Sequence, residues 1–301
     1  MKLENVIYCG DNLTWLMDSL VSIIIPTKNS EKFLEKCLDS IKDQIYQNIE
    51  IIVVDNNSTD RTKEIARKYT NKVFEINDYF KTLKHNNFKT KIKLERSVQV
   101  NFGVENAIGE FVYKVDSDFI LDKEVIAQCV KKANQGFKAV VVHNTPDVSV
   151  SWIAKVRKFE VDMYKYDITH SSARFVRKEV FQKISGFNEN ITAGEDYDFQ
   201  NKLNRGYFKT GFIDAEALHL GEPTSFWKHM KKYYNYGKDF VKYKEKNKSE
   251  SKKQLGFFRS VYLKNWKKFI KNPVMGVLFI FYNFFKYLFT GVGYLMGKIK
   301  K

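Results

Sequence analysis

Cysteine is scarce in this 301-residue chain: Cys9, Cys37 and Cys129 are scattered without paired spacing. That excludes a disulfide framework or a cysteine zinc site and favours a reducing compartment. Neither a G-x-G-x-x-G nor a P-loop motif is present, so any bound phosphate is held by a metal rather than by a glycine cradle. There is no long internal repeat, and no low-complexity stretch beyond the Lys-rich residues near 242–253. No basic stretch followed by a clean apolar core opens the chain, so no cleavable signal peptide is expected. Acid is also in short supply: 35 Asp and Glu face 51 Lys and Arg, a net charge of +16. The surplus is densest from Lys228 to Lys271, with aromatics between the lysines. Such a surface attracts the phosphates of nucleic acid or of anionic lipid, or is simply a solvated basic face.

What is present is a globular composition, 44% hydrophobic and 29% charged, in a chain long enough for one large or two small domains. From Val21 strands and helices alternate. Val21–Ile25 reads as a buried strand ended by Pro26, and Glu31–Ile45 has helical apolar spacing. Ile49–Val54 is the next strand, Ser58-Thr59-Asp60 caps a helix running to about Tyr69, and Lys72–Ile76 is a third strand. Residues 77–94 read as a loop, followed by a helix from Glu95 to about Ala107, a strand over Phe111–Val115, a helix over Asp122–Asn134 and a strand over Lys138–His143. The second half is less regular. Helices are expected over Val150–Tyr166, Arg177–Ile184, Glu195–Asn204 and Thr224 to about Tyr243, and extended stretches over Ala173–Val176, Tyr207–Asp214 and Ala217–Leu220. The fold class is α/β, a doubly wound and mainly parallel sheet.

The strand Phe111–Val115 stops at Asp116-Ser117-Asp118. Residues i and i+2 share a side, so both carboxylates can converge on one ligand. Hard oxygens at a strand's C-terminal edge suit Mg2+ or Mn2+ holding a diphosphate, and open α/β sheets bind ligands at that edge. Alone, the triplet is equally a pair of solvated loop acids. The turns Pro26-Thr27-Lys28-Asn29-Ser30 and Asp55-Asn56-Asn57-Ser58-Thr59-Asp60 follow apolar strands and fall on the same edge. Asp55 is placed to accept hydrogen bonds from a base or ribose, or to act as a turn residue.

Together these segments carry a resemblance. Val21-Ser-Ile-Ile-Ile-Pro-Thr-Lys-Asn29, Ile51-Ile-Val-Val-Asp-Asn-Asn-Ser-Thr-Asp60 and Gly109-Glu-Phe-Val-Tyr-Lys-Val-Asp-Ser-Asp118 resemble glycosyltransferase family 2, with its Rossmann-like GT-A fold. The resemblance continues through Glu95-Arg-Ser-Val-Gln-Val-Asn-Phe-Gly103, Ala173-Arg-Phe-Val-Arg-Lys-Glu-Val-Phe181, Gly186-Phe-Asn-Glu189 and Gly194-Glu-Asp-Tyr-Asp198. It implies an inverting transfer of one sugar from a nucleotide-diphospho sugar. Pro26, Thr27, Asn29 and Asp55 would contact the nucleoside, Asp116 would lie near ribose and metal, and Asp118 would ligate Mg2+ or Mn2+. Glu195-Asp196 would supply the general base, assigned to Asp196, and His219 would approach the metal or diphosphate. Arg96, Lys231, Lys232 and Lys238 are candidates for phosphate contact. Two departures stand out. Val100 occupies a place where many members have arginine, and the Q-x-x-R-W signature of processive synthases is missing, which favours addition of a single sugar.

The expected organisation is an extension over 1–20, a transferase domain over 21–245 (nucleotide-sugar half 21–143, acceptor half 144–245) and a membrane-seeking segment over 246–301. The first stretch, Asn5–Leu13, resembles an opening segment of adenine-specific DNA methyltransferases, but their D-P-P-[FY] motif is absent; nucleic acid is not an expected partner. Phe257–Ile270 reads as a basic amphipathic helix of the kind that lies on anionic membranes. Pro273–Gly297 is 25 residues of mostly apolar character, about long enough to span a bilayer. Its single charge, Lys286, sits near the middle, where a charge costs roughly 2.5–3.5 kcal/mol on insertion scales. Asn283, Lys286 and Thr290 form one polar stripe that could pack on a partner helix, and a single span, a re-entrant or interfacial helix and a soluble core helix remain alternatives. The expected partners are a nucleotide sugar, a lipid-linked or envelope glycan acceptor and membrane lipids, with the catalytic domain cytoplasmic. The rival reading is a catalytically silent GT-A domain that binds or scaffolds.

Overall fold

The computed structural model describes residues 19–77, 96–257 and 259–299. The N-terminal extension up to residue 18 and most of the expected loop, residues 78–95, lie outside it. In the first half, β1 (Val21–Thr27), α1 (Leu34–Lys42), β2 (Ile49–Asp55), α2 (Thr62–Arg67), β3 (Val73–Glu75), α3 (Arg96–Glu105) and β4 (Phe111–Lys114) alternate as the spacing predicts. There follow β5 (Phe119–Leu121), α4 (Val125–Asn134), β6 (Ala139–Pro146), α5 (Trp152–Val161), β7 (Phe175–Arg177), α6 (Lys178–Lys183), α7 (Glu195–Arg205) and β8 (Thr210–His219). Five helices complete the chain: α8 (Phe226–Lys246), α9 (Lys248–Gln254), α10 (Ser260–Lys264), α11 (Trp266–Lys271) and α12 (Pro273–Ile299).

The eight strands form one mixed sheet in the order β3-β2-β1-β4-β7-β6-β8-β5. β3, β2, β1 and β4 run parallel, β7 is antiparallel to both its neighbours, β6 and β8 are parallel, and β5 is antiparallel to β8. Alternation explains why the central strands read as unbroken apolar runs. Ile23, Ile25, Val53, Phe111 and Tyr113 enter one core with α1 and α4, whereas Ile24, Ile52, Val54 and Val112 enter another with α3 and α7. Val100 is buried in the second core. β1 continues through Pro26, which lies beyond the last β4 partner at Ile24, where a missing N–H leaves that ladder intact. Cys37 and Cys129 are buried and unbonded.

Three sequence expectations change. Phe119–Leu121 was not foreseen as a strand, because three residues are too few for a periodicity signal. Tyr207–Asp214 and Ala217–Leu220 merge into the single strand β8. The expected amphipathic helix over Phe257–Ile270 is broken at Asn265 into α10 and α11, with Phe258 outside the described residues.

A third apolar cluster, from α5, α8, α10 and α12, stands beside the sheet. α12 is the one helix among the described residues long and apolar enough to cross a membrane. Its polar stripe packs within the chain rather than awaiting a partner helix. Lys286 Nζ lies 2.7 and 2.8 Å from the two carboxylate oxygens of Glu160 in α5. Tyr164 and Tyr262 donate to the same carboxylate at 2.6 and 2.9 Å. Burial opposes the Glu160 charge, but Lys286, Arg259 and these hydroxyls overcome it and hold the carboxyl at about 2.

Candidate active site

Strand direction places the chemistry. β1, β2 and β4 end on one edge of the sheet, which brings Thr27, Asp55 and the Asp116–Asp118 turn together. β7 runs the other way, so its start lies at the same edge; Lys114 N–H donates to the Arg174 carbonyl at 2.9 Å. β5 pairs with β8 in the register Phe119–His219, and Leu220 N–H bonds the Asp118 carbonyl at 2.8 Å. His219 thereby comes beside Asp118, with Nε2 3.2 Å from Oδ2.

A cavity of about 610 Å³ opens here. Arg96, Asp116, Glu195, Asp196 and His219 lie on its wall, with Arg174, Glu222, Tyr236 and Phe240. Gly194, at φ +86°, turns the chain into α7 and aims Glu195 and Asp196 at the site. A Cβ at this position would meet the Tyr243 ring at 2.9 Å, so both the turn and the packing call for glycine. Deeper in α7, the buried Asp198 accepts from Lys246 and Asn247 at 3.0 Å each and ties the helix to α8.

Asp196 Oδ1 lies 2.6 Å from Lys114 Nζ, a buried ammonium that also sits 5.0 Å over the Phe187 ring. Burial disfavours the Asp196 charge, yet Lys114 and Arg174 outweigh it and hold the carboxyl below its ordinary value. Burial, reinforced by the charge of Asp196, pushes the Glu195 carboxyl up. Asp116 resists burial through Arg96, Arg174 and Lys114, and stays well below the carboxylate range. Arg174 binds its Oδ2 at 2.7 Å, and Arg96 Nε stands 3.6 Å from its Oδ1. That Oδ1 is buried without a hydrogen bond.

The residues expected to contact the nucleoside sit on the same sheet edge, outside the cavity wall. Pro26 and Thr27 are buried; Asn29 is exposed, in the left-handed region, and its Oδ1 accepts from Thr59 N–H at 2.9 Å. Asp55 has no exposed surface and joins the two turns: its oxygens accept from Thr27 Oγ1 at 3.0 Å, Ser58 N–H at 2.8 Å and Ser58 Oγ at 2.5 Å. Gln99 braces the same turns by donating to the Thr27 and Val54 carbonyls at 2.9 and 2.7 Å. Of the candidate lysines, Lys231 is exposed, Lys232 lies over the ring of the cavity residue Tyr236, and Lys238 lies over Tyr234.

Among the described residues no three His, Cys, Asp or Glu side chains form a ready-made metal cage. Asp118 and His219 nevertheless offer one carboxylate and one imidazole, donor types that would suit Mg2+ or Mn2+. Space is kept there: a Cβ on Gly221 would fall 2.1 Å from Asp118 Oδ2. His219 Nδ1 lies 2.5 Å from Glu222, which Arg157 Nε grips at 2.7 Å. A carboxylate on Nδ1 fixes the imidazole so that Nε2 faces Asp118. The donor set fits a divalent cation.

Sequence reasoning missed Lys114, Arg174, Arg157 and the role of Glu222. Lys114 had a signal: a charge inside a fully buried strand demands a partner. Arg174 had none, because its place depends on the direction of β7.

The model of glycosyl transferase family 2 matches residues 22–192. The chain belongs to this family. Glycosyltransferase GlyA of Streptococcus pneumoniae is 34% identical over 117 residues, which cover 39% of this chain and 15% of that protein. The GalNAc(5)-diNAcBac-PP-undecaprenol beta-1,3-glucosyltransferase of Campylobacter jejuni is 33% identical over 120 residues, 40% of this chain and 36% of that protein. The chain thus spans well under half the length of these two curated relatives. Among solved structures, the mannosyltransferase PcManGT of Pyrobaculum calidifontis, in complex with GDP-Man and Mn2+, aligns with a TM-score of 0.55 at 16% identity, covering 94% of this chain and 76% of that one. That likeness shows a shared fold. Both curated relatives are named glycosyltransferases.

Proposed function

We propose that this family-2 glycosyltransferase moves one sugar, with inversion, from a nucleotide-diphospho sugar to a lipid-linked or cell-envelope glycan acceptor at a membrane, the catalytic domain facing the cytoplasm. The carrying observation is the cavity where Asp116, His219, Glu195 and Asp196 meet, with Asp118 against His219. Residues 21–143 would bind the donor and 144–245 the acceptor. The Campylobacter relative's name specifies a lipid-linked substrate, and the Pyrobaculum structure holds a nucleotide sugar with Mn2+; both support this choice of substrates.

In this reading Asp196 takes the proton from the acceptor hydroxyl as that oxygen attacks the anomeric carbon, and the nucleoside diphosphate leaves with the bonding pair. Lys114 keeps Asp196 ionised and fixes its carboxylate before the acceptor arrives. Glu195, with its raised affinity for protons, stands next in line on the same helix turn. Arg174 and Arg96 anchor Asp116 at the donor side. Tyr236 and Phe240 offer ring faces along the cavity to a sugar. Asp118 and His219, with Asp116 behind them, would hold Mg2+ or Mn2+, whose charge would stabilise the leaving diphosphate.

The test is nucleotide release and sugar transfer from UDP-, GDP- and dTDP-sugars with Mn2+ or Mg2+, on wild type, Asp118→Ala and Asp196→Asn, with membrane lipids supplied as acceptor. Release of one nucleotide, lost in both variants and on chelation, is the expected result. A folded protein that binds no nucleotide would sink the reading, and binding without turnover on extracted lipid would favour a silent scaffold.

A further inference from the structure

A helix docked on a soluble domain hides its apolar stripe and shows polar residues to water. α12 is apolar on both sides. Its inward face buries Phe279 and Tyr282 in the third apolar cluster, together with Asn283 and Lys286. Its outward face presents Val277, Ile280, Phe284, Leu288, Val292 and Leu295, each between 45% and 67% exposed, at steps of three and four residues. From Val274 to Met296 that arc holds no charged or hydrogen-bonding side chain. At 1.5 Å per residue, the stretch from Val274 to Met296 makes a continuous apolar edge about 35 Å long.

The helix is also fastened along its length. A Cβ on Gly237 would meet the Thr290 carbonyl at 2.2 Å, and one on Gly293 would meet the Tyr234 carbonyl at 2.0 Å, so α8 and α12 touch backbone to backbone. Lys286 is held by Glu160. Crossing a bilayer in place would drag the exposed Lys231, Lys232 and Lys242 of α8 into hydrocarbon. Crossing alone would strip Lys286 of its carboxylate. The segments flanking α12 in the chain are basic and aromatic: Lys264, Lys267 and Lys271 before it and Lys298 at its end are exposed, as is Trp266. Positive charge and an indole flanking an apolar strip match an anionic lipid surface.

We propose that α12 lies along an anionic leaflet with its outward face in the interface, and does not span the membrane. This deepens the membrane-acceptor reading above and rests on it for its purpose, but lipid binding is measured without turnover. The full chain is sedimented with phosphatidylcholine vesicles and with phosphatidylcholine–phosphatidylglycerol vesicles. Wild type should pellet with the anionic vesicles and be released by alkaline carbonate. Phe284→Glu with Leu288→Glu should abolish pelleting, while thermal melting and nucleotide release in solution stay unchanged. Lys267→Glu with Lys271→Glu should weaken binding about tenfold or more, and added salt should do the same.

Each of the following results overturns the proposal. One is retention of wild type through carbonate. Another is equal binding by the Phe284/Leu288 variant. The third is failure to bind either vesicle together with a concentration-dependent dimer that the same variant abolishes, which would assign the face to a second copy of the chain. Absent vesicle binding with intact nucleotide release removes the lipid face and spares the transferase. Vesicle binding without any nucleotide binding does the opposite.

Discussion

The molecule holds two networks of buried charge, and they differ in completeness. In the bundle, the Glu160 carboxylate receives Tyr164, Tyr262 and Lys286, with Arg259 4.0 Å away. That centre is closed and serves to lock α12 to α5. In the cavity, Asp116 keeps one oxygen without a hydrogen bond, and the Asp196 side chain, though paired with Lys114, is 35% exposed. The second network is also charged but unfinished and open on one side. Buried charges that satisfy one another hold a fold together; those left unsatisfied toward a cavity are available to a ligand.

Breaking each network should separate these roles. The largest effect is expected at the cavity. Asp196→Asn removes the proposed base and should lower kcat about 10²–10⁴-fold with thermal melting little changed, checked by transfer rate beside a melt. In the bundle the pattern should invert. Glu160→Ala leaves Lys286 buried and unpaired, and should cost about 3–5 kcal/mol in urea unfolding, with turnover per folded molecule retained. Glu160→Gln with Lys286→Met should recover much of that loss. Because folding holds the Glu160 carboxyl at about 2, below its ordinary 4.5, its contribution is complete above pH 4.5 and is lost as pH falls from there toward 2. The acid sensitivity of wild type over that window should therefore shrink in Glu160→Gln.

Smaller effects sharpen the contrast. Glu222→Gln loosens the orientation of His219 and should weaken Mn2+ binding about 10–100-fold, read by titration calorimetry without donor. Lys114→Met removes the cation that keeps Asp196 below its ordinary value. The variant's carboxyl rises, so the acid limb of the pH–rate profile should move to higher pH while the alkaline limb stays in place.

Much of the first half was legible in the residues. Ile23 and Ile25 alternate with Ile24, Phe111 and Tyr113 alternate with Val112, and the turns after them fall on one edge because parallel strands end together. Asp116, Glu195, Asp196 and His219 were foreseen and are brought to one cavity. The bonds of Asp55 to Ser58 and Thr27 were not legible, because a carboxylate in a turn reads the same whether it faces a ligand or the Ser58 beside it. The lysine in β4 was visible as an anomaly, but its partner lies 82 residues away.

By itself, then, the amino-acid sequence determined the alternating α/β framework, the edge on which the acids gather and the inconsistency of a charged residue within an apolar helix. Local periodicity and chain order carry that information. Tertiary structure alone decided the rest. The antiparallel entry of β7 delivers Arg174 to Asp116, the three-residue β5 lays His219 beside Asp118, and the docking of α12 turns its polar stripe inward and its apolar face out. Each depends on which distant segment supplies a hydrogen-bonding or charged partner, and burying a polar group without one is too costly for the chain to settle any other way.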